Sequence, residues 1–423
     1  MKLHVENFAK IKEADIEING ITVIAGENNT GKSTIGKIMY CLYSIFKDID
    51  LKVNNERRRT IARALISTAE IRDKIWSFTN EEDDYEKVME IVNEISNLNV
   101  EELNNYLEVS DYNFSEETES ALYDAIKFKK EDLKSLIIKR HFANEFNGQF
   151  LPLTNTENKS VLSLHIKNSI NTIHFDYNSK INVNSELNLI KDCIYIDNPF
   201  SIDDMDNSNK RSSFDLLDFI LRGQNIYTHK DFLVSILSKS LRNSDSDLIG
   251  YAVLDKRLSK FKLMINDVLH GDFLEKENKF VFFDYFNKCE IELENLSTGV
   301  KSLAILLKLI ENRDISDNSM IVLDEPEIHL HPKWQIKFAE ILVLLQKEFN
   351  LNIVLTSHSP YFISAIQAYS KKYDMTRICK YYLADLDIEN KAFFEDVTDN
   401  PGKIFDKLAA SFDELDQIMY GED

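Results

Sequence analysis

The run Gly26-Glu27-Asn28-Asn29-Thr30-Gly31-Lys32-Ser33 fits the pattern G-x-x-x-x-G-K-[ST] and restricts the fold more than any other stretch of the chain. It needs a buried strand on one side and a helix opening on the other. Ile21-Thr22-Val23-Ile24-Ala25 supplies a continuous apolar run, and Ile35, Ile38, Met39, Leu42 and Phe46 follow at the spacing of one helix face. In that setting successive backbone N–H groups and the positive end of a helix dipole turn toward phosphate oxygens. Gly26, Asn28, Asn29, Thr30, Gly31, Lys32, Ser33 and Thr34 are therefore the candidate nucleotide contacts. Lys32 would reach the β- and γ-phosphates and Ser33 a Mg²⁺ ion.

The 423 residues suit two or three domains, or one α/β domain with insertions, and a hydrophobic share of 43% supports a large core. With 71 acidic against 50 basic side chains the formal charge is −21, which disfavours a surface devoted to gripping nucleic acid. DNA contact would need a local basic groove or one supplied by a partner. Cys41, Cys193, Cys289 and Cys379 are far apart, without the C-x-x-C spacing of a zinc site. The N-terminus shows no apolar signal region and no uncharged run approaches membrane-spanning length, so a cytoplasmic chain without membrane contact is expected.

Along the chain, Leu3–Phe8 and Ile16–Ile18 alternate apolar and polar residues, as half-buried antiparallel strands do. Residues 50 to 140 are charged and helical, with a basic cluster at Arg57, Arg58, Arg59 and Arg63, expected on a solvated face, and an acidic break at Asn80–Asp84. No heptad persists long enough for a coiled coil. Phe150–Leu153, Val161–Ile166, Thr172–Tyr177 and Cys193–Ile196 read as short strands. Asp203, Asp204 and Asp206 lie in a polar loop expected to be solvated. Residues 214 to 270 are expected to be helical, with Phe214, Leu217, Ile220 and Leu221 on one face, and Phe280–Leu293 reads as a hairpin.

Met320-Ile321-Val322-Leu323 is a second buried strand, and it delivers Asp324 and Glu325 at its carboxyl end. Asp324 would hold the metal with Ser33, and Glu325 would orient and polarise an attacking water. Pro332 suits a first helical turn, and Trp334, Phe338, Ile341, Leu342 and Leu345 make a core-facing stripe. A third strand, Leu351–Thr356, ends at Ser357-His358-Ser359-Pro360, which makes His358 a candidate γ-phosphate contact. Leu296-Ser297-Thr298-Gly299-Val300-Lys301 opens a helix with small residues, a second anion site.

Together these four motifs resemble the ABC/SMC-like P-loop ATPases, and Asp324-Glu325-Pro326-Glu327-Ile328-His329-Leu330-His331-Pro332 looks most like the OLD and Septu-type branch of bacterial anti-phage ATPases. The resemblance is strong over residues 1 to 45 and 280 to 365. It implies an α/β fold: an ABC-ATPase-like head with a mixed central sheet, an antiparallel β-layer and a helical insertion. The expected parts are the first portion of the head (1–49), a helical insertion (50–141), strands returning to the head (142–198), a helical subdomain (199–272), the second portion of the head (273–370) and a strand and helix tail (371–423). It also implies ATP and Mg²⁺ as ligands, with Lys32, Glu325 and His358 catalytic, and a homodimer or higher assembly in which Ser297 and Gly299 of one copy complete the Lys32 site of the other. Two departures stand out. Thr298 and Val300 replace a glycine and the glutamine of the family signature, and the glutamine expected after the Cys193–Ile196 strand is missing, leaving Asp197 or Asn198 to take its metal or water contact.

The activity expected is ATP hydrolysis that gates a separately encoded nuclease of HNH or toprim type. The OLD nucleases carry a toprim domain, for which the roughly sixty residues after His358 are too few. Asp385 and Asp387 have D-x-D spacing but read as a strand-end turn. Two alternatives are an ATP-dependent DNA clamp of SMC type, which would want a long coiled coil, and a transporter nucleotide-binding subunit, which would want the intact signature and its coupling glutamine.

Overall fold

A computed structural model describes residues 1–67, 81–110, 114–152, 159–176, 181–185, 189, 191–205, 228–238, 248–276 and 279–420. They fall into two compact units. The larger comprises Met1–Lys47, Phe142–Arg211 and Tyr227–Asp423, and the smaller Asp48–His141 and Ser212–Ile226.

In chain order the strands are β1 (Lys2–Phe8), β2 (Ile11–Glu17), β3 (Ile21–Gly26), β4 (Ser160–Ile166), β5 (Ser169–Phe175), β6 (Ile181–Ser185), β7 (Cys193–Ile196), β8 (Gly271–Lys276), β9 (Lys279–Asp284), β10 (Cys289–Glu292), β11 (Met320–Asp324), β12 (Asn352–Ser357), β13 (Cys379–Leu386) and β14 (Ala392–Asp396). The helices are α1 (Lys32–Phe46), α2 (Ile49–Ser67), α3 (Glu81–Ser96), α4 (Val100–Val109), α5 (Glu116–Lys127), α6 (Lys130–Glu145), α7 (His229–Leu237), α8 (Leu248–Leu269), α9 (Thr298–Glu311), α10 (Pro332–Phe349), α11 (Pro360–Lys372) and α12 (Gly402–Tyr420).

Eleven strands make one mixed sheet in the order β6-β5-β4-β1-β2-β14-β13-β3-β12-β11-β7, and β8 to β10 make a small antiparallel sheet. The run β13-β3-β12-β11-β7 is parallel throughout. Its central strands are the continuous apolar runs, because a parallel strand covered by helices buries both faces: all of β3 is buried. The run β2-β1-β4-β5-β6 is antiparallel, and in β2 buried and exposed residues alternate as one half-covered face requires. The apolar stripes of α9, α10 and α11 close the main core around Leu303, Leu307, Ile341, Leu345 and Phe362.

Three local expectations are corrected. Phe150–Pro152 is not a strand, and Leu153 lies outside the described residues. Phe150 instead joins Phe8, Phe142 and Phe175 in an aromatic cluster, held there by the Ala9 N–H donating to its carbonyl at 2.9 Å. The acidic run from Glu81 opens α3 rather than breaking the chain, in keeping with the preference of carboxylates for a helix N-terminus; Asn80 lies outside the described residues. In the smaller unit Arg59 is buried, not solvated, and its Nη1 donates to Glu56 Oε2 at 2.8 Å, while Arg57 donates to the Phe128 carbonyl. There α2, α3, α4 and α5 pack around Ile61, Leu65, Val92, Ile95, Leu103 and Leu122. The stripe expected at Phe214, Leu217, Ile220 and Leu221 lies outside the described residues, as does Tyr177.

Candidate nucleotide-binding site

Strand register brings the candidate residues to one level. Ile196 pairs with Leu323, Asp324 with Thr356, and Ser357 with Ala25, so the chain leaves the carboxyl ends of β7, β11, β12 and β3 side by side. There a cleft of about 600 Å³ is lined by Asn28 through Thr34, by Asp197 and Asn198, by Asp324 and Glu325, and by Ser302 and Leu306 of α9.

The phosphate loop closes around its own lysine. Gly31 takes the left-handed conformation (φ 82°) at the N-cap of α1, which favours glycine because a Cβ would be strained there. Lys32 is buried, and its ammonium donates to the carbonyls of Gly26 at 2.9 Å and Glu27 at 2.7 Å. Thr30 donates to the same Glu27 carbonyl at 2.8 Å. Burial lowers the Lys32 pKa, partly countered by Glu325, whose Oε1 stands 3.7 Å from the ammonium, and by Asp324. Among the described residues no hydrogen bond engages the exposed Ser33 hydroxyl, which lies in the cleft wall.

Asp324 is held from two sides. The Tyr195 hydroxyl donates to its Oδ2 at 3.1 Å and also reaches the Ser33 carbonyl at 3.4 Å, while the Thr356 hydroxyl donates to its Oδ1. Glu325 follows in a left-handed backbone conformation (φ 48°) that a side chain adopts at a cost of about 1 kcal/mol or more. Its N–H donates to Thr356 Oγ1 at 3.0 Å, and its Oε1 stands 3.3 Å from Nδ1 of His358. The Glu325 carboxylate thus lies between Lys32 and His358.

The turn after Glu325 is fastened to the end of β12. Glu327 is buried and accepts a hydrogen bond from the Ser357 hydroxyl; burial raises its pKa. Gln335 donates to the carbonyls of Glu327 and Leu330, and the Ser359 hydroxyl donates to Gln335 Oε1 at 2.9 Å. This anchoring presents His329 to the cleft.

Ser297, Thr298 and Gly299 lie elsewhere, in a second groove of about 270 Å³ shared with His329, His331 and Trp334. Trp334 is only half-buried, packing on the core with one part and lining this groove with another. A Cβ on Gly299 would come within 2.6 Å of the His329 carbonyl, so glycine here permits a close approach within the chain. Behind the groove Lys301 is buried and donates to Asp203 Oδ1 at 2.7 Å. Asp203 is therefore paired rather than solvated, in the turn Pro199–Asp204, and Asp206 lies outside the described residues.

Of the two residues considered for the missing glutamine, Asn198 is used as a cap, accepting from the Phe200 N–H at 2.9 Å. Asp197 lines the cleft, and its Oδ2 stands 2.9 Å from Nε2 of the buried His229. Glu145 grips the far side of that imidazole: its Oε1 is 2.5 Å from Nδ1 and its Oε2 accepts the His229 N–H at 3.0 Å. Burial would lower the His229 pKa, but the two carboxylates outweigh it and leave it raised. Burial would raise that of Asp197, but His229 leaves it lowered. The His229 ring also lies 4.4 Å, centroid to centroid, from Tyr195. Glu145, Tyr195 and His229 carry no motif and find their partners only in the folded chain; Thr356 belongs to the segment that ends in His358, but its bond to Asp324 follows from the pairing of β12 with β11.

A family model described as an AAA ATPase domain matches residues 1–363. The chain is 33% identical over 91 residues to a retron Vc95 probable ATPase of Vibrio cholerae serotype O1 biovar El Tor, covering 19% of this chain and 17% of that one. It is 26% identical over 173 residues to the Septu protein PtuA of Bacillus thuringiensis, covering 38% and 39%. The chain thus spans less than two fifths of the length of either relative. An SMC head domain from Thermotoga maritima aligns over 94% of this chain and 98% of its own with 13% identity and a TM-score of 0.38.

Proposed function

We propose, since this chain belongs to the AAA ATPase domain family, that it hydrolyses ATP in the cleft between the phosphate loop and Glu325, and that hydrolysis drives a bacterial anti-phage response. The observation that supports this best is the meeting of Lys32, Asp324 and Glu325 at one cleft, with His358 Nδ1 3.3 Å from the Glu325 carboxylate. The loop N–H groups and Lys32 would bind the β- and γ-phosphates. A Mg²⁺ ion held there would supply positive charge to offset that of the phosphates. Ser33 and Asp324 offer the hard oxygen donors that suit it, and Tyr195 and Thr356 keep the Asp324 carboxylate in place. Glu325 would accept a hydrogen bond from the attacking water, and His358 would contact the γ-phosphate. Nucleotide entry would part Lys32 from the loop carbonyls and from Glu325, freeing both groups for their work.

Two copies would pair around two ATP molecules, the Ser297–Gly299 groove of one facing the Lys32 cleft of the other. Their opening and closing would gate a separate nuclease. The partial likeness to the retron and Septu proteins favours the defence role over a DNA clamp or a transporter subunit. The test is Glu325→Gln. It should retain ATP binding while slowing turnover about a hundredfold or more, as loss of one positioned group does, whereas Lys32→Ala should lose binding itself. Unchanged turnover in the glutamine variant would refute the assignment.

A further inference from the structure

His358 is placed by its neighbours rather than by its own ring. Its Nδ1 stands 3.3 Å from Glu325 Oε1 but has no hydrogen-bond partner among the described residues. The residues on either side of it are tied instead, and both are tied to the stretch that follows Glu325. Ser357 is buried; its hydroxyl accepts the Ser359 N–H at 3.0 Å and donates to Oε1 of Glu327. The Ser359 hydroxyl donates to Gln335 Oε1 at 2.9 Å and accepts the Phe362 N–H at 3.3 Å, which caps α11. Gln335 then donates back to the carbonyls of Glu327 at 3.3 Å and Leu330 at 3.0 Å, so the bonds close on one another. Glutamate is seldom buried unless its carboxyl is engaged, and Glu327 is 1% exposed. Burial raises its pKa, so an amide of the same shape can stand in for it as acceptor. A buried network of this kind fixes a single geometry, because its bonds strengthen one another. Neither Glu327 nor Gln335 lines the cleft, so an effect of either on the reaction must pass through other residues.

We infer that Glu327 and Gln335 are positioning residues for hydrolysis: by holding the serines on both sides of His358, they set its imidazole beside the Glu325 carboxylate. The inference rests on the ATPase reading and extends it, giving the stretch after Glu325 a task within its own chain.

The test is a double-mutant cycle in the full chain, read as single-turnover ATP hydrolysis. Glu327→Met keeps the length of the side chain and removes the acceptor. It should slow hydrolysis about tenfold or more, as displacing a group that acts on the substrate does, with ATP affinity within about twofold of the parent because the phosphate loop is untouched. In a His358→Ala background the same change should cost less than about twofold, since the group it positions is gone. Glu327→Gln, which restores the acceptor, should run at least about fivefold faster than Glu327→Met. Gln335→Leu should follow Glu327→Met in both backgrounds. Equal slowing with and without His358, or a rate within about twofold of the parent, overturns the inference for the residue changed. Equal rates for the two Glu327 variants overturn it as well, and so does a His358→Ala chain as fast as the parent, which would leave nothing to position. Melting temperatures within about 3 °C of the parent would show that the fold persists; if Glu327→Met melts lower, Ser357→Ala takes its place in the cycle under the same criteria. A parent chain that fails to hydrolyse ATP would instead sink the ATPase reading, so the two failures are separable.

Discussion

Tyr195 shows what a single hydroxyl does when it lies between two loops. It donates to Asp324 and reaches the Ser33 carbonyl, so it ties the Asp324 carboxylate, proposed above to hold Mg²⁺, to the first turn of α1. Tyr195→Phe should leave ATP binding without metal nearly unchanged, yet raise the Mg²⁺ concentration for half-maximal turnover by about tenfold, the usual effect of removing a group that orients a metal ligand. A Mg²⁺ titration of turnover checks it. The glycine loop, Asp324, Glu325 and His358 were legible in the sequence because each ends an apolar strand. Tyr195 and His229 were not, because a tyrosine within a strand is ordinary and a histidine after a polar loop is commonplace; Thr356 stood in the His358 motif, but its hold on Asp324 could not be read there. Only pairing in space gives them neighbours. In the smaller unit His141 is buried, and its pKa is pushed down to about 3, chiefly by burial with Lys52 and Arg140 adding to it. Between that value and about 6.5 the unfolded chain takes up a proton that the folded one refuses, so stability falls as pH falls through the window and is complete above it. From about pH 7.5 to pH 5 the parent should lose about 2 kcal/mol more than His141→Gln, read by denaturant unfolding of the two.

Among elements, α9 sits where one residue too large disturbs two grooves. Its second residue, Gly299, lies against the His329 carbonyl, and His329 lines both the main cleft and the Ser297 groove. Gly299→Ala must push that carbonyl back, at about 1–3 kcal/mol, and should lower the melting temperature by several degrees while displacing His329. The sequence identified this glycine through its place in a signature and assigned it to a partner's nucleotide; an intrachain reason for it could not be read, since residues 299 and 329 meet only in the folded chain. Strands were easier to read than turns. The apolar runs of β3, β11 and β12 left no other reading, whereas Phe150–Leu153 had strand composition but was claimed by an aromatic cluster.

For the whole molecule, the Ser297 groove adjoins the Lys32 cleft only through His329, and in the proposed pairing it would face the Lys32 cleft of the second copy. Ser297→Arg should therefore leave ATP binding to the isolated chain intact and abolish ATP-dependent pairing, while Glu325→Gln with ATP should accumulate the paired form; light scattering with and without ATP distinguishes them. The sheet also has an order of assembly. β3, which carries the phosphate loop, pairs on one side with β12 and on the other with β13, strands made about 330 and about 360 residues later. At roughly 5–20 residues per second the first strand waits on the order of tens of seconds for its neighbours, unsheltered in the meantime. A nascent chain interrupted before β12 would carry Lys32 and Asp324 without Thr356, which grips Asp324, or His358, which stands beside Glu325.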